Sequence, residues 1–516
     1  MIRSFFTVSS GTLASRLLGF ARDSMIAALL GTGAVADAFL VAFQLVNVVR
    51  RLLSEGALNA ALVPAWLRLR DAEGAEAAAR FAGRVLGTVS AVLIAVTVLI
   101  GLAMPFVIIV LAPGFAGRET LQFAIDDARL MLPYLAFAGP VTVMLALASA
   151  QSRFALTAFS PVLFNIALIA VMIVLIVSQR GAAFAALALA ATVGAAGFLQ
   201  LLILILRRGD NTATPLRVSF DSEMRGFLAR ALPGMIASAA PQLLIVAGAI
   251  IASASPSAVS WLYFANRLIE LPLGIVGVAM GTVLIPELTR ALQGGDQDII
   301  AHAESRALEL AVGLALPATF GLIALSEPIV RLLFEHGAFT PADTAATGQA
   351  LIWLALGLPA QVLAKAISPA FFARGDTLVP LRATLKAVTV AAVSSVLLGH
   401  FFGAAGIAAG VALGAWSNAL SLARNGAAGF GFSIDQAARR RLPRIVIAAM
   451  IMGGLLWLAA SAIALPAHGF WQAVTLTCLI AGGIAVYALF LALFAVTSWR
   501  EAVSAIQSSP SRDLRA

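Results

Sequence analysis

Long apolar stretches, each of 20 residues or more, recur along the whole chain and constrain its fold more than any other feature. A stretch of this length spans the ~30 Å hydrocarbon core of a bilayer as an α-helix. Hydrophobic residues make up 61% of the 516 residues and charged residues only 11%. So few charges cannot cover the surface of a water-soluble protein of this size. The sequence therefore predicts an all-α polytopic membrane protein and excludes a soluble enzyme, a disordered chain and a nucleic-acid-binding domain.

Fourteen of these stretches are predicted to be transmembrane helices. They lie at residues 9–31, 36–62, 84–111, 128–150, 156–178, 182–206, 228–253, 258–285, 308–333, 347–372, 379–400, 404–423, 443–465 and 471–497. If both termini are cytoplasmic, and residues near the end of a span are counted with the adjoining loop, 24 of the 34 Lys and Arg residues belong to the cytoplasmic side, four to the opposite side and six to the interior of spans. This asymmetry follows the positive-inside rule. It supports the number of fourteen spans, because one missed helix would move every later loop to the other side of the membrane. No cleavable signal peptide is predicted, so the first span is interpreted as a retained helix.

Two halves of the chain resemble each other at an offset of about 220 residues. The matching segments are Leu62-Val63-Pro64 with Leu284-Ile285-Pro286, Ala112-Pro113-Gly114-Phe115 with His336-Gly337-Ala338-Phe339, and Arg153 and Pro161 with Arg374 and Pro380. Each half holds six predicted helices, so both halves have the same orientation in the membrane. This pattern predicts two lobes, residues 1–208 and 209–427, around a central cavity. Two additional helices follow in residues 428–498, and residues 499–516 form a cytoplasmic tail.

Several ionisable residues fall inside the predicted spans. They are Arg16, Arg22 and Asp23 in the first, Asp37, Arg50, Arg51 and Glu55 in the second, Arg267 and Glu270 in the eighth, and Lys365 in the tenth. An arginine at the centre of the bilayer costs ~2.5–3.5 kcal/mol, so five of them cannot all face lipid. Two interpretations stay open at this point. The side chains line a water-filled cavity, or they form interfacial and structural ion pairs.

Spacing and residue type favour the cavity. Arg16 and Asp23 are seven residues apart and share a helix face, and so do Asn266 and Glu270, with Arg267 beside them. Asn47, Arg51 and Glu55 also share a face. Arginine presents a planar fork that pairs with both oxygens of a phosphate or carboxylate. The arginines therefore indicate a phosphate-bearing substrate.

Signatures of soluble catalysis are missing from the sequence. Neither lysine follows a glycine, as a Walker A loop requires, and the four histidines are too far apart to predict a metal site. The single cysteine, Cys478, excludes an intrachain disulfide. We therefore predict no catalytic residue, metal or cofactor, and a transport process driven by an ion gradient or by the membrane potential. Three acidic loop residues, Asp126, Asp127 and Asp343, are interpreted as solvated surface.

Four segments resemble the MurJ (MviN) family, the lipid II flippases of the multidrug/oligosaccharidyl-lipid/polysaccharide exporter superfamily. They are residues 15–23 (SRLLGFARD), 37–39 (DAF), 47–57 (NVVRRLLSEGA) and 260–272 (SWLYFANRLIELP). The resemblance extends over essentially the whole chain, including the fourteen-span count. It implies a flippase that moves lipid II, the undecaprenyl-pyrophosphate-linked disaccharide-pentapeptide precursor of peptidoglycan, from the inner to the outer leaflet of the bacterial plasma membrane for cell-wall synthesis.

The resemblance also implies roles for individual residues. The substrate-binding set that contacts the pyrophosphate is Arg16, Arg22, Arg50 and Arg267, and the transport and gating set is Asp23, Asp37, Glu55, Asn266 and Glu270. The last two helices would form a groove for the polyprenyl tail. Two positions depart from familiar members, because Asn266 stands where aspartate is common and Gln44 where lysine is often found. The eleventh span has no acidic residue, so a sodium site there is not predicted.

Other functions remain as alternatives. The chain could flip another polyprenyl-linked saccharide, or it could be a multidrug antiporter of the same superfamily. A membrane-embedded enzyme acting on polyprenyl phosphates would need an acid pair or metal site in a sizeable loop, which the sequence does not offer. The expected partners are lipid II, membrane lipids and the cell-wall synthesis machinery, with no nucleic acid. The expected form is a monomer in the inner membrane with both termini cytoplasmic.

Overall fold

A computed structural model shows an architecture of α-helices, with no strand in the ranges that it describes. Those ranges are residues 2–54, 57–151, 153–206, 213, 216–222, 224–229, 240–279, 297–374, 376–432, 434–463 and 469–496. Glu55 and the predicted tail at residues 499–516 lie outside them, as does the side chain of Arg51. The all-α prediction is confirmed.

Most of the described residues lie in α-helices. In chain order they are α1 (Ile2–Leu30), α2 (Ala34–Ser54), α3 (Ala57–Glu73), α4 (Ala75–Leu102), α5 (Met104–Leu111), α6 (Glu119–Met131), α7 (Pro133–Ala150), α8 (Phe154–Ser178), α9 (Ala182–Leu206), α10 (Ala240–Ala252), α11 (Ala258–Ala279), α12 (Gln297–Ala324), α13 (Ser326–Phe334), α14 (Pro341–Ala373), α15 (Leu378–Phe430), α16 (Gln436–Ala462) and α17 (Phe470–Leu493). A 3₁₀ turn, Pro113–Phe115, follows α5.

Membrane-crossing segments dominate this set. Within the described ranges, nine helical segments are long and apolar enough to cross a bilayer, with α6 and α7 together forming one of them. The chain is therefore a multi-pass membrane protein, as predicted. The number of fourteen spans stays a prediction.

Two breaks explain why helices and predicted spans do not coincide one to one. The third predicted span is divided between α4 and α5, because Pro105 lacks a backbone N–H and its ring would clash with the carbonyl four residues earlier. The long α15 bends at Gly403, whose φ of 56° and ψ of −136° are not helical. Its two arms lie close together, and Ser395 Oγ donates to the carbonyl of Ile407 at 3.1 Å. These arms correspond to the eleventh and twelfth predicted spans.

Backbone contacts divide the chain into two compact units. Unit 1 contains Met1–Phe264, Leu333–Ala346 and Val388–Val411. Within it, α1 packs along α8, α2 along α6, and α7 along α9. A glycine permits the close approach of α9 to α6, since a Cβ at Gly194 would lie 2.3 Å from the carbonyl oxygen of Leu130. Unit 1 thus joins the first part of the chain to two later segments.

Unit 2 contains Ala265–Leu332, Thr347–Ala387 and Ala412–Ala516. Here α16 packs against both α12 and α17. Tyr487 of α17 donates a hydrogen bond to the carbonyl of Gly313 in α12 at 2.8 Å, and a Cβ at Gly453 of α16 would lie 2.7 Å from Phe320 of α12. The last two helices are therefore attached to α12. The predicted lobe boundaries at residues 208 and 427 stay predictions.

Asp435 caps α16 and ties its first turn to α12. Its Oδ1 accepts the backbone N–H of Ala438 at 2.6 Å, and its own N–H donates to Ser305 Oγ at 2.9 Å. The Ala438 N–H, followed by His302 and Arg441, holds the pKa of Asp435 below its ordinary value of 3.8. Because the folded pKa is the lower one, the charged cap stabilises the fold above about pH 4, and this stabilisation is lost as the pH falls through the folded pKa.

We expect Asp435→Ala to lower the stability by about 1 kcal/mol at neutral pH, the usual contribution of an N-cap side chain. Thermal unfolding of the purified protein in detergent measures the loss. The difference between the variant and the parent should shrink below pH 4. A difference that stays constant from pH 7 to pH 3 would contradict the charged cap.

Candidate functional site

Arg22 and Asp23 form a buried ion pair in unit 1. They lie in α1 and are 6% and 0% exposed. Nε and Nη2 of Arg22 donate to Asp23 Oδ1 at 2.9 and 2.7 Å. Nη1 of Arg22 donates to Oδ1 of Asn165, on α8, at 2.9 Å. Three nitrogens of the guanidinium are thus engaged, one edge by a carboxylate and the other by an amide.

Two phenylalanines cover the guanidinium. Its central carbon lies 5.2 Å from the ring centroid of Phe43 and 5.8 Å from that of Phe164. Cations at this distance from an aromatic face are attracted by the ring quadrupole, and the attraction is larger where water is excluded. The rings therefore stabilise a charge that would otherwise be costly to bury.

Asn165 fixes the same stretch of α1 a second time. Its Nδ2 donates to the carbonyl of Ser15 at 3.1 Å, so one amide contacts both Ser15 and Arg22. The hydroxyl of Tyr263 donates to Asp23 Oδ1 at 3.4 Å. Arg16 follows Ser15 in the helix and is partly exposed. Helices α1 and α8 and the start of α11 thus all contribute to the polar cluster around Asp23.

The second-span charge set is described only in part. Arg50 is partly exposed, and its Nη2 donates to Asn47 Oδ1 at 3.3 Å, one turn earlier in α2. The predicted shared face of Asn47 with Arg51 and Glu55 depends on side chains outside the described ranges.

A second group lies in α11, within unit 2. Nη1 of Arg267 donates to Glu270 Oε2 at 2.8 Å, and Nδ2 of Asn266 donates to Glu270 Oε1 at 3.4 Å. The side chains of Arg267 and Glu270 are 21% and 20% exposed, so this pair is more accessible than that of Arg22 and Asp23. Lys365 of α14 is exposed. The carboxylate of Glu270 thus accepts hydrogen bonds from both Asn266 and Arg267.

Asp37 of α2 binds the N-terminus of α11. It is 3% exposed. Its Oδ2 accepts the backbone N–H of Ser257 at 2.8 Å, and its Oδ1 accepts the N–H of Ser260 at 2.9 Å and the hydroxyl of the same residue. The first N–H groups of a helix have no partner within the helix and carry a partial positive charge. A buried carboxylate is therefore stabilised here, and it ties α2 to α11.

Backbone contacts join the end of α1 to the turn before α14. The N–H of Ala338 donates to the carbonyl of Ala28 at 2.8 Å. Gly31 and Gly337 have φ of +63° and +60°, and a Cβ at Gly337 would lie 2.3 Å from the carbonyl oxygen of Ala28. Only glycine fits both the conformation and the space. We use the name clasp for four segments of unit 1 in contact here, residues 28–32, 37, 257–261 and 336–343.

The prediction that Asp127 and Asp343 are solvated is wrong. They are 1% and 7% exposed. Asp127 lies on the buried face of α6, which begins at Glu119 and so leaves a shorter loop than predicted. Asp343 lies in the first turn of α14 and accepts hydrogen bonds from Thr32, Thr340 and Trp261. Asp126, by contrast, is only half-buried and accepts from Gln122 at 2.9 Å.

Sequence reasoning did not single out Asn165. It is the one amide side chain in the predicted span at residues 156–178. A buried amide is costly unless it is hydrogen-bonded, so its presence in an apolar span was a signal for a polar partner. The serine and tryptophan of the 260–272 segment were noted only as parts of a motif. Within the described ranges, no group of three or more His, Cys, Asp or Glu residues could hold a metal ion.

Comparison with known proteins identifies the family to which the chain belongs. Residues 26–476 match a family model described as "Lipid II flippase MurJ". The chain belongs to the MurJ family. Among curated members, "Probable lipid II flippase MurJ" of Rhizobium meliloti (strain 1021) is 39% identical over 94% of this chain and 92% of its own length. The "Lipid II flippase MurJ" of Burkholderia cenocepacia is 31% identical over 82% of this chain and 83% of its own length.

Solved structures show that the fold is also that of MurJ. A structure described as "Lipid II flippase MurJ, inward closed conformation" matches with a TM-score of 0.78 and 23% identity, over 96% of this chain and 99% of that one. An inward-facing multidrug resistance MATE family transporter of the MOP superfamily matches with a TM-score of 0.67 and 17% identity, over 84% and 95% of the two chains. At these identities the matches establish the fold alone. They agree with the superfamily indicated by the sequence.

Proposed function

We propose that this member of the MurJ family is a lipid flippase that moves lipid II from the inner to the outer leaflet of the bacterial inner membrane. The buried guanidinium of Arg22, held by exchangeable polar partners, is the observation that carries the proposal. Its fork of donors matches the oxygens of a pyrophosphate. Lipid II would bind by its anionic head group while the polyprenyl tail stays in lipid.

Exchange of partners is the chemical basis of binding. In the present structure Arg22 donates to Asp23 and Asn165, so its charge is neutralised and its donors are used. A phosphate oxygen that displaces Asn165 would keep the ion pair with Asp23 and add a second anion. Arg267 and Glu270 are suited to the same exchange, and they start from a more exposed position. Arg16 and Arg50, both partly exposed, would complete the substrate-binding set.

Movement would follow alternating access. Two lobes, residues 1–208 and 209–427, rock about a central cavity that opens to one leaflet at a time. Asp37, through its hydrogen bonds to Ser257 and Ser260, would help to keep the predicted outer end closed. Asp23, Glu55, Asn266 and Glu270 would belong to the same transport and gating set. Residues 428–498 would form the groove for the polyprenyl tail.

The membrane topology is part of the proposal. Fourteen spans place both termini in the cytoplasm, as the distribution of Lys and Arg indicates. The clasp then lies on the outer side. We further propose that the protein acts as a monomer and associates with the cell-wall synthesis machinery.

Leaflet-resolved labelling of lipid II tests the function. Cells depleted of their own flippase should accumulate inner-leaflet lipid II, and expression of this protein should restore outer-leaflet labelling. Arg267→Ala should reduce the rate about 10–100-fold, because a hydrogen bond to a charged group contributes about 1.5–3 kcal/mol. Arg331→Ala is the matched control, since Arg331 forms a comparable helical pair with Glu327 at 2.5 Å and has no place in the site. Equal rescue by Arg267→Ala and Arg331→Ala would reject a role for Arg267, and no rescue by the parent protein would reject the function.

A further inference from the structure

Asp343 uses its two carboxylate oxygens differently. Oδ2 accepts the backbone N–H of Thr340 at 2.9 Å and the hydroxyl of Thr340 at 2.6 Å. The N–H of Asp343 in turn donates to Thr340 Oγ1 at 3.3 Å. This reciprocal pair is a capping box, which satisfies the free N–H groups at the start of α14. The hydrogen bonds that Oδ2 accepts are therefore fully explained by capping of α14.

Oδ1 of Asp343 has partners that are distant in sequence. It accepts the hydroxyl of Thr32 at 2.6 Å and the indole N–H of Trp261 at 2.9 Å. Thr32 connects α1 to α2, and Trp261 lies in the first turn of α11. Helix capping requires neither contact. One buried carboxylate oxygen thus joins three segments of the clasp.

The first turn of α11 is held by a second carboxylate as well. Asp37 of α2 binds Ser257 and Ser260, next to Trp261. Arg267 is six residues beyond Trp261 in the same helix, a distance of about 9 Å along its axis. Helix α11, which carries Arg267 of the proposed substrate-binding set, is therefore held at its first turn by two carboxylates, Asp37 of α2 and Asp343 of α14.

We propose that Asp343 is a positioning residue that keeps the outer end of the protein closed through its hydrogen bonds to Trp261 and Thr32. It thus acts as a latch of the clasp, in addition to Asp37. The proposal rests on the proposed function for its place in the transport cycle. The latch itself is a property of the clasp. Each hydrogen bond to the carboxylate favours the closed state about tenfold or more, so losing one should raise a small open population by the same factor.

Thiol labelling measures that population. The background is Cys478→Ala, which removes the one native cysteine. The reporter is Ala258→Cys, at the first residue of α11, where the side chain is 0% exposed. A membrane-impermeant thiosulfonate added outside spheroplasts reacts at a rate that follows the open fraction. Thr32→Val removes one donor to Oδ1 and keeps the shape of the side chain, and Trp261→Phe removes the other donor and keeps an aromatic ring at that position.

We expect each latch variant to raise the labelling rate at position 258 about tenfold, and the double variant to raise it further. Trp416→Phe is the matched control, since Trp416 donates its indole N–H to the carbonyl of Leu356 at 2.9 Å in unit 2. A second reporter, Ala448→Cys, is 0% exposed in α16 and detects general loosening. The labelling rate at position 448 should be the same in Trp261→Phe, in Thr32→Val and in the parent. If Trp261→Phe fails to fold, Thr32→Val carries the test.

Three results would overturn the latch. Unchanged labelling at position 258 in both Trp261→Phe and Thr32→Val would leave Asp343 as a helix cap only. Equal increases at positions 258 and 448 would indicate general destabilisation. Labelling from the cytoplasmic side alone would place the clasp at the wrong end. The expected labelling in a protein that does not restore lipid II translocation would reject the proposed function and leave the latch standing.

Discussion

Arg22→Ala is expected to abolish lipid II translocation and to destabilise the protein. The substitution removes both hydrogen bonds to Asp23 and the one to Asn165, and leaves the 0%-exposed carboxylate without its guanidinium. Breaking a buried ion pair by removing one partner typically costs about 3–5 kcal/mol. Outer-leaflet labelling of lipid II measures the transport defect, and thermal unfolding in detergent measures the stability.

A double variant separates these two effects. Arg22→Ala with Asp23→Ala removes both charges, and replacing a whole buried pair costs far less than breaking it. We therefore expect the double variant to recover most of the lost stability while translocation stays absent. Arg22→Lys should keep the charge but not the fork, because an ammonium cannot donate to Asp23 and Asn165 in the same plane. Its rate should be at least about tenfold below that of the parent.

The outcome of the double variant decides between two roles for Arg22. If translocation returns with stability, the arginine serves the fold and its ion pair is structural. If stability returns alone, transport requires the Arg22–Asp23 pair itself, and a rate of Arg22→Lys at least about tenfold below that of the parent then assigns the requirement to the guanidinium, because this variant keeps Asp23. Wild-type translocation by Arg22→Ala would reject the role in transport, and unchanged thermal unfolding of the same variant would reject the role in the fold.

The sequence was sufficient to predict the class of fold, because the physical requirement is strong. Backbone groups in lipid must be satisfied within each segment, so a chain of long apolar stretches has to form helices. Helix ends were less predictable. The apolar run at residues 84–111 continues through Pro105, where the backbone has to break, and hydropathy does not register the break. Likewise, Asp127 was assigned to a loop because the predicted span begins at residue 128, whereas α6 begins nine residues earlier, at Glu119.

The charged residues of the candidate site are predictions made from sequence, and most of the hydrogen-bond partners that the structure gives them could not be predicted in the same way. Glu270 could be paired with Asn266 and Arg267 because helical spacing relates positions three and four apart. No such rule relates Arg22 to Asn165, 143 residues later, or Asp37 to Ser260, 223 residues later. These contacts depend on which helices pack together. The same reason explains why Asp343 was taken for a surface residue, although both of its oxygens accept hydrogen bonds.

Cross-linking the clasp is expected to arrest transport. In the Cys478→Ala background, Ala28→Cys and Ala338→Cys place thiols on two segments whose backbones are joined by a hydrogen bond of 2.8 Å. Ala338 is exposed, so a short bis-thiosulfonate or an oxidant reaches it. The covalent bond holds the two segments together, so the outer end cannot open. The cross-linked fraction should therefore translocate lipid II at less than about a tenth of the uncross-linked rate. Reduction of an oxidised sample should restore it.

Controls show whether the arrest belongs to the clasp. Each single-cysteine variant, treated in the same way, should transport normally. A cross-link between α7 and α9, through Phe137→Cys and Gly197→Cys, joins two helices of unit 1 that already pack together and should leave transport intact, since a Cβ at Gly197 would lie 3.3 Å from the Cβ of Phe137. Full transport with the clasp quantitatively cross-linked would mean that the end formed by α1, α11 and α14 never opens. The head group would then have to leave by another route, and alternating access at this end would be wrong.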